Sequence, residues 1–391
     1  MKSVVIISTA DLYYGNTAAV ARMNNYARAL ALANVDVYML PTDSLTSNGQ
    51  WVEIEPHIYT LPKEKTKTHK GYNLFYVAGL VRKIKRRLKA IKGEVVVLNY
   101  PSTTSMLVDI LMLISIQKIP VYCELNEVRK YASGSNSNSV RNRLYNSLLE
   151  KTYQWYDGIV FISRHIREYY SSKARRSVIV PILSDCSKSY TPSKGINTLD
   201  FVFVGSISFP KENLEELFEG FCLFANEHPE ARLKLYGPIS PSDQKRLEGF
   251  VEKSDMKEQI LYLGKLQHSE VEEVLSTAGA LLLSRSNNKQ NYYGFSTKLS
   301  EYAVSGTPII MTNTGVVADY FQDGESCLMC DGYGRDAFKI KFDELAQMSM
   351  AEKQQMAEKA YRVAQNHFDY RLYPETLKSF FFNQTKYEKT F

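Results

Sequence analysis

Phe201-Val202-Phe203-Val204-Gly205 is the stretch on which the fold turns. Consecutive apolar positions suit a strand only when both of its faces are covered, as in a parallel sheet sandwiched by helices. A glycine at the end of such a strand lets the chain turn sharply. A helical pattern follows from about Asn213 to Asn226, then a second short strand, Leu233-Lys234-Leu235-Tyr236-Gly237. The alternation continues through Ile260-Leu261-Tyr262-Leu263-Gly264, Ala280-Leu281-Leu282-Leu283-Ser284, a helix over about Ser296–Val304, and Pro308-Ile309-Ile310-Met311. Helical patterns around Met350–Gln365 and Leu372–Phe382 close the chain.

The same grammar precedes it. Val4-Val5-Ile6-Ile7, Val35–Leu40, Val95–Leu98, Val121–Cys123, Gly158–Ile162 and Ser177–Val180 read as strands, with a helix over about Thr17–Ala33. Between the two series, Leu183–Thr198 is rich in Ser, Thr, Pro and Gly and reads as a connector. The expected architecture is α/β, two doubly wound Rossmann-like domains facing across a cleft. The expected boundaries are an N-terminal domain at 1–184, a linker at 185–198, a second domain at 199–366 and a C-terminal helix at 367–391 that can cross back. Open parallel sheets bind ligands at the carboxyl ends of their strands, so the cleft is the expected site.

The bulk properties narrow the class. The 391 residues are 44% apolar and 23% charged with net charge +6, ordinary for a two-domain globular protein and too mild to argue for nucleic acid. The 27 tyrosines are spread along the chain rather than interleaved with basic residues on one surface. The N-terminal apolar run is too short for a signal peptide, and Leu107–Ile116 is too short for a membrane span. Five widely spaced cysteines, Cys123, Cys186, Cys222, Cys327 and Cys330, suit reduced thiols in the cytoplasm. Cys327-Leu328-Met329-Cys330 reads as a buried strand rather than a metal pair. The six histidines show no metal-site spacing, so no metal or other cofactor is expected. The turn after the first strand lacks Gly-x-Gly-x-x-Gly, which argues against a nicotinamide dehydrogenase.

Four segments in order carry a family resemblance: Phe203-Val204-Gly205-Ser206-Ile207-Ser208-Phe209-Pro210-Lys211, then Leu261-Tyr262-Leu263-Gly264-Lys265-Leu266, then Gly294 through Ile310 with its Glu301-Tyr302 and Gly306-Thr307-Pro308, and Asn313-Thr314-Gly315 through Asp323-Gly324-Glu325. From Thr198 to Asp323 the sequence resembles the retaining glycosyltransferases of family 4, the glycosyl transferases group 1, with the GT-B fold. The N-terminal half matches less closely, through Gly15-Asn16-Thr17, Tyr156–Ser163 and Pro181.

The resemblance implies transfer of a sugar from a nucleotide-sugar, UDP favoured over GDP, to a saccharide or lipid-linked saccharide in bacterial cell-surface polysaccharide assembly. Cleavage at the anomeric carbon puts charge on a diphosphate, which calls for cations and N–H donors. Lys211 and Lys298 are the candidate cations, each with the alternative of a solvated surface lysine. Glu301 is the candidate acceptor for two ribose hydroxyls, a task suited to a group that only accepts. Gly15, Asn16, Gly205, Ser206, Gly237, Leu266, Tyr293, Gly294, Phe295, Ser296 and Thr297 complete the candidate donor site, with core packing the alternative for Phe295. The family's front-face displacement hands the acceptor proton to the leaving phosphate, so no protein base is implied.

Three positions depart from the family pattern. Tyr293 stands where a glutamate is usual, and Ser206 where an arginine is. Near Cys123–Glu127, where relatives have a histidine touching the donor sugar, only Asn126, Glu124 or Glu127 can serve, and any of them can be structural. These departures keep open a non-catalytic GT-B binding or partner subunit. A UDP-sugar epimerase shares the architecture and also remains.

Residues 72–92 form a basic amphipathic pattern. Val77, Leu80 or Val81, Ile84, Leu88 and Ile91 fall on one side, and Arg82, Lys83, Lys85, Arg86, Arg87, Lys89 and Lys92 crowd the rest. Such a helix either lies on an anionic membrane, here the inner face, or packs on the sheet with a solvated basic face.

Overall fold

The computed structural model describes residues 1–8, 18–42, 50–61, 74–100, 106–116, 118–132 and 140–383. Contacts divide the chain into two compact units, Met1–Leu183 with Tyr370–Phe391, and Ser184–Asp369.

The described strands of the first unit are β1 Lys2–Ser8, β2 Asp36–Pro41, β3 Val52–Glu55, β4 Ile58–Thr60, β5 Glu94–Asn99, β6 Val121–Leu125, β7 Gly158–Phe161 and β8 Ser177–Ile179. Its helices before the second unit are α1 Ala18–Leu32, α2 Leu74–Ala90, α3 Met106–Ser115, α4 Val140–Thr152 and α5 Arg164–Tyr169. The strand order is β3-β4-β2-β1-β5-β6-β7-β8, parallel throughout except that β3 runs antiparallel to β4. Val4, Val5 and Ile6 are fully buried, which requires cover on both faces of β1. The β3–β4 hairpin has no counterpart in the sequence reading. Its strand residues are mixed in burial, and Glu53 and Glu55 interrupt the apolar run that marks the other strands.

In the second unit the strands are β9 Asp200–Val204, β10 Arg232–Tyr236, β11 Ile260–Tyr262, β12 Ala280–Leu283, β13 Ile309–Thr312 and β14 Leu328–Cys330. The helices are α6 Leu214–Ala225, α7 Pro241–Ser254, α8 His268–Ser276, α9 Lys289–Tyr293, α10 Lys298–Val304, α11 Arg335–Gln347 and α12 Met350–Val363. The sheet is wholly parallel in the order β11-β10-β9-β12-β13-β14. The phenylalanines of β9 serve this core: Phe201 meets Phe342 at 4.6 Å and Phe224 at 5.6 Å between ring centroids, both edge-on.

Residues 185–198, expected as a linker, hold no strand or helix but are bound to the second unit. The Ser193 hydroxyl reaches the carbonyls of Ser276 (3.0 Å) and Ala278 (2.6 Å), and Tyr190 donates to the Gln354 carbonyl at 2.8 Å. The polar composition that suggested a solvated tether supplies hydrogen bonds to the protein instead. The last helix, α13 Pro374–Phe382, packs beside α1 in the first unit. Leu377, Phe380 and Phe381 enter that unit's core, Lys378 donates to the Ala33 carbonyl at 2.8 Å, and Tyr122 donates to the Phe381 carbonyl at 2.9 Å.

Candidate functional site

In the second unit β9 and β12 are neighbours, yet the chain leaves them in opposite directions, towards β10 and towards β13. At such a switch the loops after the two strands part, leaving a crevice at their carboxyl ends. Gly205 follows β9 with φ +146° and Gly237 follows β10 with φ +140°. A Cβ on Gly237 would lie 1.9 Å from the Gly205 carbonyl oxygen, and one on Gly205 would lie 2.3 Å from Lys298 Cε. The absent side chains let the two turns and Lys298 meet at one place.

The charges gather there. Lys298 Nζ lies 3.0 Å from Glu212 Oε1, and Arg285 reaches the same oxygen at 3.3 Å. Glu212 is buried, and its other oxygen has no hydrogen-bond partner among the described residues. Arg285 follows β12 and is held by three further bonds: its guanidinium to Ser296 Oγ (2.7 Å), its N–H to Thr312 Oγ1 (2.9 Å), and its carbonyl from Thr312 Oγ1 (3.1 Å). The Lys298 ammonium also sits 3.7 Å from the Phe203 ring centroid, a cation–π contact. Burial brings the Lys298 pKa down to about 8, with Glu212 opposing the fall and Arg285 and Lys211 adding to it. Lys211 thus lies close enough for its charge to be felt, and its carbonyl is fixed by Asn291 Nδ2 at 2.8 Å. Lys298 and Arg285 share one Glu212 oxygen, and Lys211 and Glu301 both lie within electrostatic reach of Lys298.

The helix α10 is anchored on β9. Tyr302 is buried, accepts from the Val204 N–H at 3.0 Å and donates to the Val204 carbonyl at 3.1 Å. Glu301, its neighbour, is exposed to solvent, while desolvation by the protein around it raises its carboxyl pKa against the pull of His268 and Lys298.

Residues 192–363 match the family model described as Glycosyl transferases group 1. The C-terminal unit is a group 1 glycosyl transferase domain. Structural similarity extends over the whole chain, and the two-domain architecture is that of the GT-B glycosyltransferases. Sucrose-phosphate synthase from Thermosynechococcus elongatus aligns at 14% identity and TM-score 0.70, covering 97% of this chain and 98% of its own. HepE from Anabaena, in complex with UDP-glucose, aligns at 13% identity and TM-score 0.70 over 97% and 100%. An alpha,alpha-trehalose-phosphate synthase (UDP-forming) from Burkholderia vietnamiensis aligns at 12% and TM-score 0.66 over 97% and 96%. No curated protein matches the sequence.

Within this glycosyl transferase domain, Gly205, Ser296 and Lys298 come together at the switch point, with Lys211 in electrostatic reach and Gly237 packed behind Gly205. Thr297 directly precedes α10 without a side-chain capping bond, and Ser206 is exposed just after Gly205. Tyr293 ends α9 and stacks edge-on against Tyr292 at 5.1 Å, and Gly294 closes that helix through a bond to the Gln290 carbonyl. Leu266 lies half-buried in the segment between β11 and α8. Phe295 corrects the expectation of a loop residue over the donor sugar. Its ring is buried, stacked on Tyr320 at 5.3 Å and edge-on to Phe368 at 5.8 Å, which is core packing. Gly15 and Asn16 lie outside the described residues.

Sequence reasoning missed Arg285 and Glu212. The available signal for Arg285 was a cation directly after the buried strand 280–284, at a sheet's carboxyl edge. Glu212 adjoins Lys211 and resembled an ordinary acid before a helix.

In the N-terminal unit, Asn126 follows β6 and donates to the Tyr100 hydroxyl at 2.6 Å. Glu124 is fully buried against Arg22, 2.8 Å away, and Arg22 also donates to the Val180 carbonyl at 2.7 Å. Through Arg22 of α1, Glu124 ties β6 to the segment after β8 and is withdrawn from solvent, which removes it from the three residues considered for the donor sugar. Glu127 lies 3.5 Å from Arg129. Among the described residues no group of three His, Cys, Asp or Glu side chains could hold a metal ion.

Proposed function

We propose that the chain transfers a sugar from a UDP-sugar to a saccharide or lipid-linked saccharide, with retention of anomeric configuration, in cell-surface polysaccharide assembly. The observation that carries this reading is the Lys298–Arg285–Glu212 cluster at the switch point of a group 1 glycosyl transferase domain. Lys298, Arg285 and Lys211 supply the positive charge for a diphosphate leaving group, which gains negative charge as the glycosidic bond breaks. Arg285 takes the place left by Ser206, where relatives carry an arginine. Glu212 holds the two cations side by side before the donor arrives. Glu301 accepts from the ribose hydroxyls. The new bond forms on the face the diphosphate leaves, the leaving phosphate oxygen takes the acceptor proton, and no protein base is required. UDP is favoured because the similar HepE structure contains UDP-glucose.

A thermal-shift panel with UDP, GDP, ADP and CMP, repeated on Glu301→Ala, tests the reading. A nucleotide at a hundred times its dissociation constant stabilises by about 2.7 kcal/mol. UDP alone should raise the melting temperature, and Glu301→Ala should lose most of the rise. No shift with any nucleotide would refute the donor site. A second reading rests on Tyr293: a site without the usual glutamate can bind donor and not turn it over. Retained UDP-sugar binding with no product across several acceptors would favour that binding subunit, and interconversion of the donor sugar would favour an epimerase.

A further inference from the structure

The basic helix α2 resolves the choice left by its pattern in an unexpected way. Val77, Leu80, Val81, Ile84, Leu88 and Ile91 are all buried, so the apolar stripe is committed to the interior of the first unit. It cannot also enter a bilayer. The opposite face carries Arg82, Lys85, Arg86 and Lys89, all exposed, at the three- and four-residue steps that align side chains along a helix. No acid pairs with any of these four among the described residues.

The neighbouring helices add apolar surface. Four connections, β4 to β5, β5 to β6, β6 to β7 and β7 to β8, step in one direction across the sheet, while β1 to β2 steps in the other. Right-handed crossovers therefore place α2, α3 and α4 on one face and α1 on the opposite one. Consistent with this, α2 packs beside α3, and α1 packs beside α13. On this same face Phe75 of α2 is 90% exposed, Ile114 of α3 54%, and Leu144 and Leu148 of α4 61% and 43%. Trp155, in the turn after α4, is 46% exposed and continues the Leu144–Leu148 line at helical spacing. Acids are turned inward: Asp109 of α3 is buried, and Glu150 of α4 is engaged by Lys173 at 3.0 Å and Tyr170 at 3.2 Å.

We infer that this helical face is a docking surface for an anionic lipid bilayer. Unpaired cations attract acidic headgroups, large exposed apolar side chains reach the acyl boundary, and an exposed tryptophan suits the interface between them. A water-facing surface gains nothing from five large apolar groups exposed on α2, α3, α4 and the turn after α4. The surface goes beyond the transferase reading and stands without it, because adhesion requires no donor.

Vesicle sedimentation of the full chain tests the surface, with phosphatidylcholine alone against phosphatidylcholine mixed with phosphatidylglycerol. Binding should appear only with the anionic lipid and weaken at high salt. Replacing Arg82, Lys85, Arg86 and Lys89 together by Gln should lower partitioning by at least about tenfold. Leu144→Ser with Leu148→Ser should lower it as well, and Trp155 emission should shift to the blue on binding, a change absent in Trp155→Phe. Both multiple variants should keep the wild-type melting temperature and the wild-type response to UDP, which separates loss of adhesion from loss of folding or of the donor site. Absence of binding to anionic vesicles, equal binding to neutral ones, or unchanged partitioning of the charge variant would overturn the inference. So would a dimer abolished by Leu144→Ser, which would assign the apolar patch to a second copy.

Discussion

Lys298 concentrates the chemistry of the site in one side chain. Its pKa of about 8 lies below the ordinary lysine value of 10.5 because burial penalises the charged form. The unfolded chain therefore holds this proton more firmly than the folded one, and the Lys298 contribution to stability becomes more favourable as pH rises from about 8 to about 10.5. Nucleotide binding has the opposite trend. A diphosphate favours the protonated amine, so UDP affinity should weaken as pH rises through about 8, with proton uptake on binding in that range. Lys298→Arg, which stays charged throughout, should flatten that profile. Calorimetric titrations in buffers of different ionisation enthalpy would read both effects, and a pH-independent wild type would contradict them. Glu212 yields a second expectation. Glu212→Gln leaves Lys298 and Arg285 side by side without their shared carboxylate, at a cost of about 3 kcal/mol seen as a lower denaturant midpoint. A variant as stable as wild type would show that the orphaned Glu212 oxygen already offsets the pair.

At the scale of elements, the site depends on how closely β9, β10 and α10 approach one another. Gly237→Ala would press a methyl group against the Gly205 carbonyl in a backbone conformation that side chains rarely adopt. It should cost more than about 1 kcal/mol and weaken UDP binding together with stability. Tyr302→Phe removes both hydrogen bonds to Val204 while keeping the ring, and should cost about 1–2 kcal/mol in denaturant unfolding. These elements were legible in the sequence to different degrees. Phe201–Val204 and Ala280–Leu283 announced themselves because a strand buried on both faces is apolar at every position. The β3–β4 hairpin was not legible, since an edge pair with Glu53 and Glu55 carries no such run. Lys298, Glu301 and Gly205 were singled out through a motif. Arg285 and Glu212 were not, because their convergence is created by the switch in strand order and no local spacing reports it. Phe295 was placed in the site by its motif neighbours, whereas its partners Tyr320 and Phe368 lie far along the chain.

On the scale of the molecule, the chain builds two units and returns its last helix to the first. Phe380 has no exposed surface and lies 5.2 Å from Tyr122 between ring centroids. Phe380→Ala should cost about 3–5 kcal/mol in the first unit. Fluorescence and hydrogen exchange should locate that loss in residues 1–183, while the UDP-dependent stabilisation of the second unit persists. The sequence indicated the final helix but not what it would cover, because the faces it packs on are contributed by α1 and β6, more than two hundred residues earlier. The central claim concerns the second unit, and titration calorimetry of UDP into wild type and Lys298→Met at neutral pH tests it most directly. The account predicts binding to wild type and at least about tenfold weaker binding to the variant, the loss expected for one charge-assisted contact to phosphate, with the variant still folded. Equal UDP affinity in the two proteins would contradict it and place the donor diphosphate elsewhere.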